Sequence, residues 1–294
     1  MIRLLIVIVS GLVALGNPVS APVPVAGKPV SCATASPAPE PDPQDISIFE
    51  QKLPIARSKQ SLPEQTLAVA RSFLGTPYQT GTLENSEAEQ LIINLRQLDC
   101  WTFMENSLAI ALAAHTTRPD IDSMVHFVRQ LRYWGGTVDG YASRIHYFSG
   151  WLLQAEKTGY LRDISRELGG VPYRINVGYM SARSNKYPAL KDPETRKKIR
   201  QVEQRLSQHK WYYIPQTQIE KIEKQLRDGD LIALTSWKKD LDIAHQGFAV
   251  RQNGRIYLLH ASSLSKRVVL SKMPLAQYVR SQKGQTGIMV ARLN

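Results

Sequence analysis

Cys100 opens the run Cys100-Trp101-Thr102-Phe103-Met104, directly after Asp99. A thiol in the first turn of a helix meets unpaired N–H groups and the positive end of the helix dipole, which favour the thiolate and lower its pKa from about 8.5. A thiolate attacks carbonyl carbon, whereas a lone thiol without partners is an ordinary small apolar residue of a core. His245 and His260 are the candidate partners. They flank Asn253-Gly254, which predicts a tight hairpin turn, so they lie close but not strictly opposite on paired strands. A thiol, an imidazole to take its proton and a further polar group to fix that imidazole's tautomer are the three parts that nucleophilic amide cleavage needs. A competing reading gives Asp242, His245 and His260 to zinc with one open position, but it leaves the thiol unused.

The elements that must hold these residues follow from the patterning. Ser61-Leu62-Pro63-Glu64 predicts a capped helix start, with Leu67, Val69, Ala70 and Phe73 at helical spacing and an end at Gly75. Residues 88–98 read as a short helix or an extended stretch, and the Cys100 helix runs to about Ala114 with Trp101, Met104, Leu108, Ala111 and Leu112 inward. Ile121 to Tyr133 and Tyr147 to Leu161 also read as helices. From Asp228-Gly229-Asp230 the period changes: Leu231 to Thr235, Ala244 to Arg251, Arg255 to His260, Lys266 to Leu270 and Thr286 to Leu293 predict strands of a meander. Helices followed by an antiparallel sheet make the expected class α+β.

Of 294 residues, 43% are hydrophobic and 21% charged, a globular composition. Met1-Ile2-Arg3 and the apolar run Leu4 to Leu15 read as a signal peptide over residues 1–21, too short for a membrane span. Residues 22–60 read as a Pro/Ala-rich linker and 61–294 as a single domain. Cys32 lacks the leucine-bearing context of a lipidated cysteine. An exported chain whose folded part holds one cysteine has no internal disulfide, which favours a working thiol. The formal charge of +12, with basic residues crowding the segment Arg183 to Lys210, comes without a nucleic-acid-binding signature, so an anionic cell envelope is the expected partner. The absence of a heptad run leaves a monomer as the default.

Four motifs stand in one order: Gly75-Thr76-Pro77-Tyr78, Leu98-Asp99-Cys100, His245-Gln246-Gly247-Phe248-Ala249-Val250, and His260-Ala261. This set resembles the NlpC/P60 superfamily of papain-like cell-wall cysteine hydrolases. With Arg132-Tyr133, Ser143-Arg144-Ile145-His146-Tyr147-Phe148, Tyr187-Pro188-Ala189-Leu190 and Leu259-His260-Ala261-Ser262-Ser263 it resembles, more narrowly, the DUF1460 or N-acetylmuramoyl-L-alanine amidase-like branch. The resemblance implies a papain-like core with Cys100 as nucleophile, His245 as general base and His260 as its orienting partner. It also implies Tyr78 beside the thiolate, the Cys100 N–H in the oxyanion hole, and no cofactor or metal.

Around that core, Asp99 reads either as an anchor for a substrate donor or as a helix cap. Arg144, near His146 in an aromatic stretch, reads as a carboxylate clamp or as half of a partly buried ion pair. Glu105 reads as a network residue. The implied substrate is peptidoglycan or its muropeptide fragments, met in the periplasm or outside the cell, with the bond between N-acetylmuramic acid and L-alanine cut. A D-glutamyl-diamino acid endopeptidase and a non-catalytic envelope-binding protein are the alternatives.

Overall fold

The computed structural model describes residues 41–84 and 88–294. The expected signal segment and Cys32 lie outside the described residues. No described helix is long and apolar enough to cross a membrane.

The elements in chain order are α1 (Pro43–Arg57), α2 (Leu62–Ser72), α3 (Cys100–Ala113), α4 (Ile121–Arg132), α5 (Phe148–Lys157), β1 (Leu161–Asp163) and β2 (Val171–Tyr173). Then follow α6 (Pro193–Gln208), β3 (Trp211–Pro215), α7 (Ile219–Ile222), β4 (Leu231–Ser236), β5 (Ile243–Gln252), β6 (Arg255–Ser262), β7 (Arg267–Leu270), α8 (Leu275–Ser281) and β8 (Gln285–Leu293). The class is α+β: all strand pairs are antiparallel, in the order β2-β3-β8-β4-β5-β6-β7, with β1 also on β8.

Two local results differ from the sequence expectation, and one choice it left open, over residues 88–98, is decided. Residues read as the end of a linker form α1, because the proline-rich stretch stops where Pro43 takes the first helical turn and the Asp42 carboxylate caps it by accepting from Gln44 N–H at 2.8 Å. Residues 88–98 form no helix; they are tied down when buried Asp45 of α1 accepts from Leu95 N–H (2.8 Å) and from the Arg96 guanidinium (3.2 Å). The final strand does not extend the meander beyond β7. It crosses back to pair with β4 and β3, which places both β4 and β8 inside the sheet, buried on two faces.

Alternation along the strands feeds two cores. Leu231, Ala233, Phe248, Val250 and Leu259 face the layer of α1 to α5, while Ile232, Leu234, Ala249, Leu258 and Val290 face α7 and α8. Within the first core α3 is buried from Thr102 to Ala113, so this helix is apolar almost all round rather than on one stripe. Phe103 meets Phe73, the C-cap of α2, edge-on at 6.4 Å and Phe248 of β5 at 5.7 Å, two aromatic contacts that clamp the start of α3 between helix and sheet, each worth about 0.5–1.5 kcal/mol beyond area burial.

Candidate active site

Asp99 sets where α3 begins. Its Oδ1 accepts from Trp101 N–H (3.0 Å), Thr102 N–H (2.8 Å) and the Thr102 hydroxyl (2.9 Å), while the Thr102 hydroxyl accepts from Asp99 N–H at 3.0 Å. This reciprocal cap fixes Cys100 as the first helical residue. Upstream, Gly75 with φ +89° turns the chain so that residues 75–78 pair along β7: Gly75 N–H donates to Val268 O and Tyr78 N–H to Lys266 O, both 2.9 Å. Tyr78 also bridges to Leu98, two residues before the thiol.

The hairpin places the histidines. Gln252 pairs with Arg255 across Asn253 (φ 50°) and Gly254 (φ 76°), a two-residue turn with both residues left-handed. The register pairs Phe248 with Leu259, which sets His260 opposite Gly247 and His245 diagonal to it on the same face. Gly247 is required there: a Cβ would lie 2.4 Å from Leu259 O and 2.9 Å from His260 Cβ. The diagonal is closed by contact of His245 Nε2 with His260 Nδ1 at 2.6 Å, the rings edge to face. Tyr278 of α8 stands over His260 with centroids 5.3 Å apart.

Cys100, partly exposed, meets this group through the strand backbone: the N–H groups of Gln246, Cys100 and Trp101 lie against its sulfur and favour the thiolate. They do not win. Burial first, and the Asp99 carboxylate second, push the thiol up to about 12, the reverse of the lowering expected from the helix terminus alone. Burial likewise pushes Tyr78 up to about 12 and, with the Cys100 charge next, Tyr278 to about 12. Burial lowers His245 to about 4, and burial with the neighbouring His245 charge lowers His260 to about 3. At neutral pH the site therefore holds a thiol and two neutral imidazoles.

A cavity of about 310 Å³ opens beside this centre, lined by both neighbours of the thiol, Asp99 and Trp101, together with Arg144, His146, Tyr141 and Tyr179. Of the sequence candidates, Arg144 and His146 are wall residues here. The Arg144 guanidinium is paired with Glu84 at 2.7 Å and with Glu89 at 3.1 Å, so the ion-pair reading fits it and the free carboxylate clamp does not. His146 Nε2 donates to Tyr141 O at 2.9 Å, leaving Nδ1 as an acceptor, and burial pushes its pKa down to about 3. Arg132, another residue of the cavity lining, forms a buried ion pair with Glu105 at 2.6 Å, the network role expected of Glu105. A hollow of about 450 Å³ against α6 contains none of these candidates.

Asp242 is not brought to the histidine pair: it is buried and its Oδ2 accepts from Ser149 N–H at 2.8 Å. Among the described residues no three His, Cys, Asp or Glu side chains converge as ligands. Tyr278 and the Gln246 N–H are site groups that the sequence did not reveal. Tyr278 sits on a seven-residue helix without a motif, and a backbone donor carries no residue-type signal.

Solved structures of similar architecture exist. An N-acetylmuramoyl-L-alanine amidase from Bacteroides uniformis is 33% identical, with TM-score 0.75, over 79% of this chain and 99% of that one. A putative xylanase from Bacteroides fragilis is 36% identical over 76% of this chain and 99% of that one, with TM-score 0.73. A Legionella pneumophila protein described by the family model DUF1460 shares the fold at 20% identity, with TM-score 0.65, over 85% of this chain and 94% of that one. No curated protein matches the chain. The family model described as N-acetylmuramoyl-L-alanine amidase-like matches residues 68–288, three quarters of the sequence and every residue of the centre described above, and the chain belongs to that family.

Proposed function

We propose that the protein is an exported cysteine amidohydrolase of the NlpC/P60 type with a papain-like core. It cleaves the amide between N-acetylmuramic acid and L-alanine in peptidoglycan or its muropeptide fragments. The observation that carries this reading is the 2.6 Å contact between His245 Nε2 and His260 Nδ1, with the Cys100 sulfur against the N–H of the next residue, Gln246. The contact needs one N–H and one lone pair. With Nε2–H of His245 donating to His260, His245 Nδ1 carries a free lone pair and is the base.

In this mechanism Cys100 attacks the lactyl carbonyl carbon while its proton passes to His245 Nδ1. Thiolate and imidazolium arise together, each lowering the cost of the other's charge in a site that disfavours either alone. The carbonyl oxygen gains negative charge at the α3 N-terminus. Trp101, Thr102 and Phe103 N–H are all engaged by Asp99, whereas the Cys100 N–H points at its own sulfur and serves as the oxyanion donor. Imidazolium then protonates the departing alanine nitrogen, and a thioester to the muramoyl acid remains for water. His260 holds the ring of His245, Tyr78 flanks the thiol, and Asp99 presents the first turn of α3.

Incubation with defined muropeptides and mass analysis of the products tests the reading: free stem peptide is the expected product, and Cys100→Ala gives none. A released dipeptide would instead assign the D-glutamyl-diamino acid bond. Binding without any product would make the protein a non-catalytic envelope binder.

A further inference from the structure

One wall residue of the cavity beside Cys100 carries cations that the cleavage steps leave unused. Tyr179 and Leu241 line the cavity. Over the Tyr179 ring stand two positive groups, the Arg183 guanidinium 4.0 Å and the Lys238 ammonium 4.6 Å from the centroid. A hydrogen bond from Lys238, then the charges of Lys238, Arg183 and Lys186, hold the Tyr179 hydroxyl below its ordinary pKa.

Two separate segments build this cluster. Tyr179, Arg183 and Lys186 follow β2, and Lys238 lies in the connection between β4 and β5. Gly178 N–H donates to Asp240 O (3.0 Å) and the Asn176 amide to Asp240 Oδ1 (2.9 Å), so the two segments are joined. Asp240 is the carboxylate set against the cations, 3.9 Å from Arg183 and already engaged by Asn176. The acids of the cavity wall are engaged elsewhere, Glu84 on Arg144 (2.7 Å) and Asp99 on the first N–H groups of α3, and of the acids nearby Glu89 also pairs with Arg144 while Glu203 accepts from the Tyr147 hydroxyl (2.7 Å) and Ser181 N–H (3.0 Å).

We propose that Arg183 and Lys238, supported by Lys186, form an anion subsite that binds the free carboxylates of a peptide stem and so sets which half of the substrate lies in the cavity. This rests on the muramoyl-peptide reading above. The lactyl carboxyl of such a substrate is consumed in the amide to be cut, so its free carboxylates lie in the peptide half. The peptide then runs from Cys100 along Asp99 and Trp101 toward Tyr179, and the sugar lies on the other side of the thiol. Arg183 suits a carboxylate through its planar fork, and Lys238 adds a point charge.

Two measurements test the subsite. The first is calorimetric binding of L-alanyl-D-glutamate and of its diamide to Cys100→Ala protein, alone and with Arg183→Gln and Lys238→Gln added. The second is the kcat/KM ratio of N-acetylmuramoyl-L-alanyl-D-glutamate to its diamide. We expect the diacid to be preferred by about tenfold or more in both, the size of a charge-assisted contact. That preference should shrink with added salt and approach unity in the double variant. Equal binding of diacid and diamide, or a preference that survives the double substitution, overturns the subsite. Loss of turnover on both substrates with the binding preference intact overturns the amidase reading and leaves the subsite standing.

Discussion

His245 Nε2 and His260 Nδ1 are 2.6 Å apart although their strands do not pair them directly; the diagonal relation works because Gly247, opposite His260, presents no side chain. His260→Ala is expected to lower kcat by about 10²- to 10⁴-fold, the range for removing the group that fixes a catalytic imidazole, with KM little changed. His260→Asn, which retains an acceptor, should recover part of the loss. Steady-state kinetics on a muropeptide decide it, and equal activity of His260→Ala and the parent would remove His260 from the site.

The thiol pushed up to about 12 implies that the free protein stores little thiolate near neutral pH. Alkylation of Cys100 by iodoacetamide should therefore stay slow at pH 7 and climb steadily above pH 9. A plateau already reached at pH 7 would instead show a preformed thiolate–imidazolium pair.

Asp99 has two effects that a pair of substitutions separates. Asp99→Asn keeps a capping oxygen but removes the charge that raises the thiol, so the alkylation profile should move to lower pH with the melting temperature nearly unchanged. Asp99→Ala should shift the profile similarly and also cost about 1 kcal/mol through the lost cap. Thermal melts and alkylation rates, taken together, separate the two.

The lowered histidines predict acid sensitivity. His245 at about 4 and His260 at about 3 are both below the ordinary 6.5, so the folded state binds fewer protons than the unfolded chain. Their contribution to stability is whole above about pH 6.5 and is lost as pH falls from there through 4 and toward 3. Melting temperature should fall across that window, less steeply in His245→Gln. An identical slope in that variant would place the acid sensitivity elsewhere.

Glu105 of α3 and Arg132 of α4 are buried to 0% and 1% exposure and joined at 2.6 Å. Arg132→Met alone should destabilise by about 3–5 kcal/mol by stranding a buried carboxylate, and Glu105→Leu added to it should return most of that loss. Denaturant unfolding of the single and double variants measures the recovery.

Much was legible in the sequence because it depends on local order. The Asp99-Cys100 helix start, the Asn253-Gly254 turn and the period-two strands are short-range signals, and α3, β4, β5 and β6 follow them with boundaries shifted by a residue or two. The turn also puts His245 and His260 close together on paired strands; that they share one face without a bulge or a looser turn is decided by the register. Other features depend on contacts between residues far apart in the chain. β8 pairs with β4 rather than β7 because two central strands need burial on both faces, which one strand's pattern does not express. Arg144 could be a clamp or a closed ion pair by sequence, and only the fold brings Glu84 and Glu89 to it. The helix terminus alone argues for a thiolate; burial and the Asp99 charge, which exist only once the chain is packed, make Cys100 a thiol at rest. Residue types and spacing determined which groups could react, and tertiary packing decided their protonation, because desolvation is a property of the whole assembly around a group.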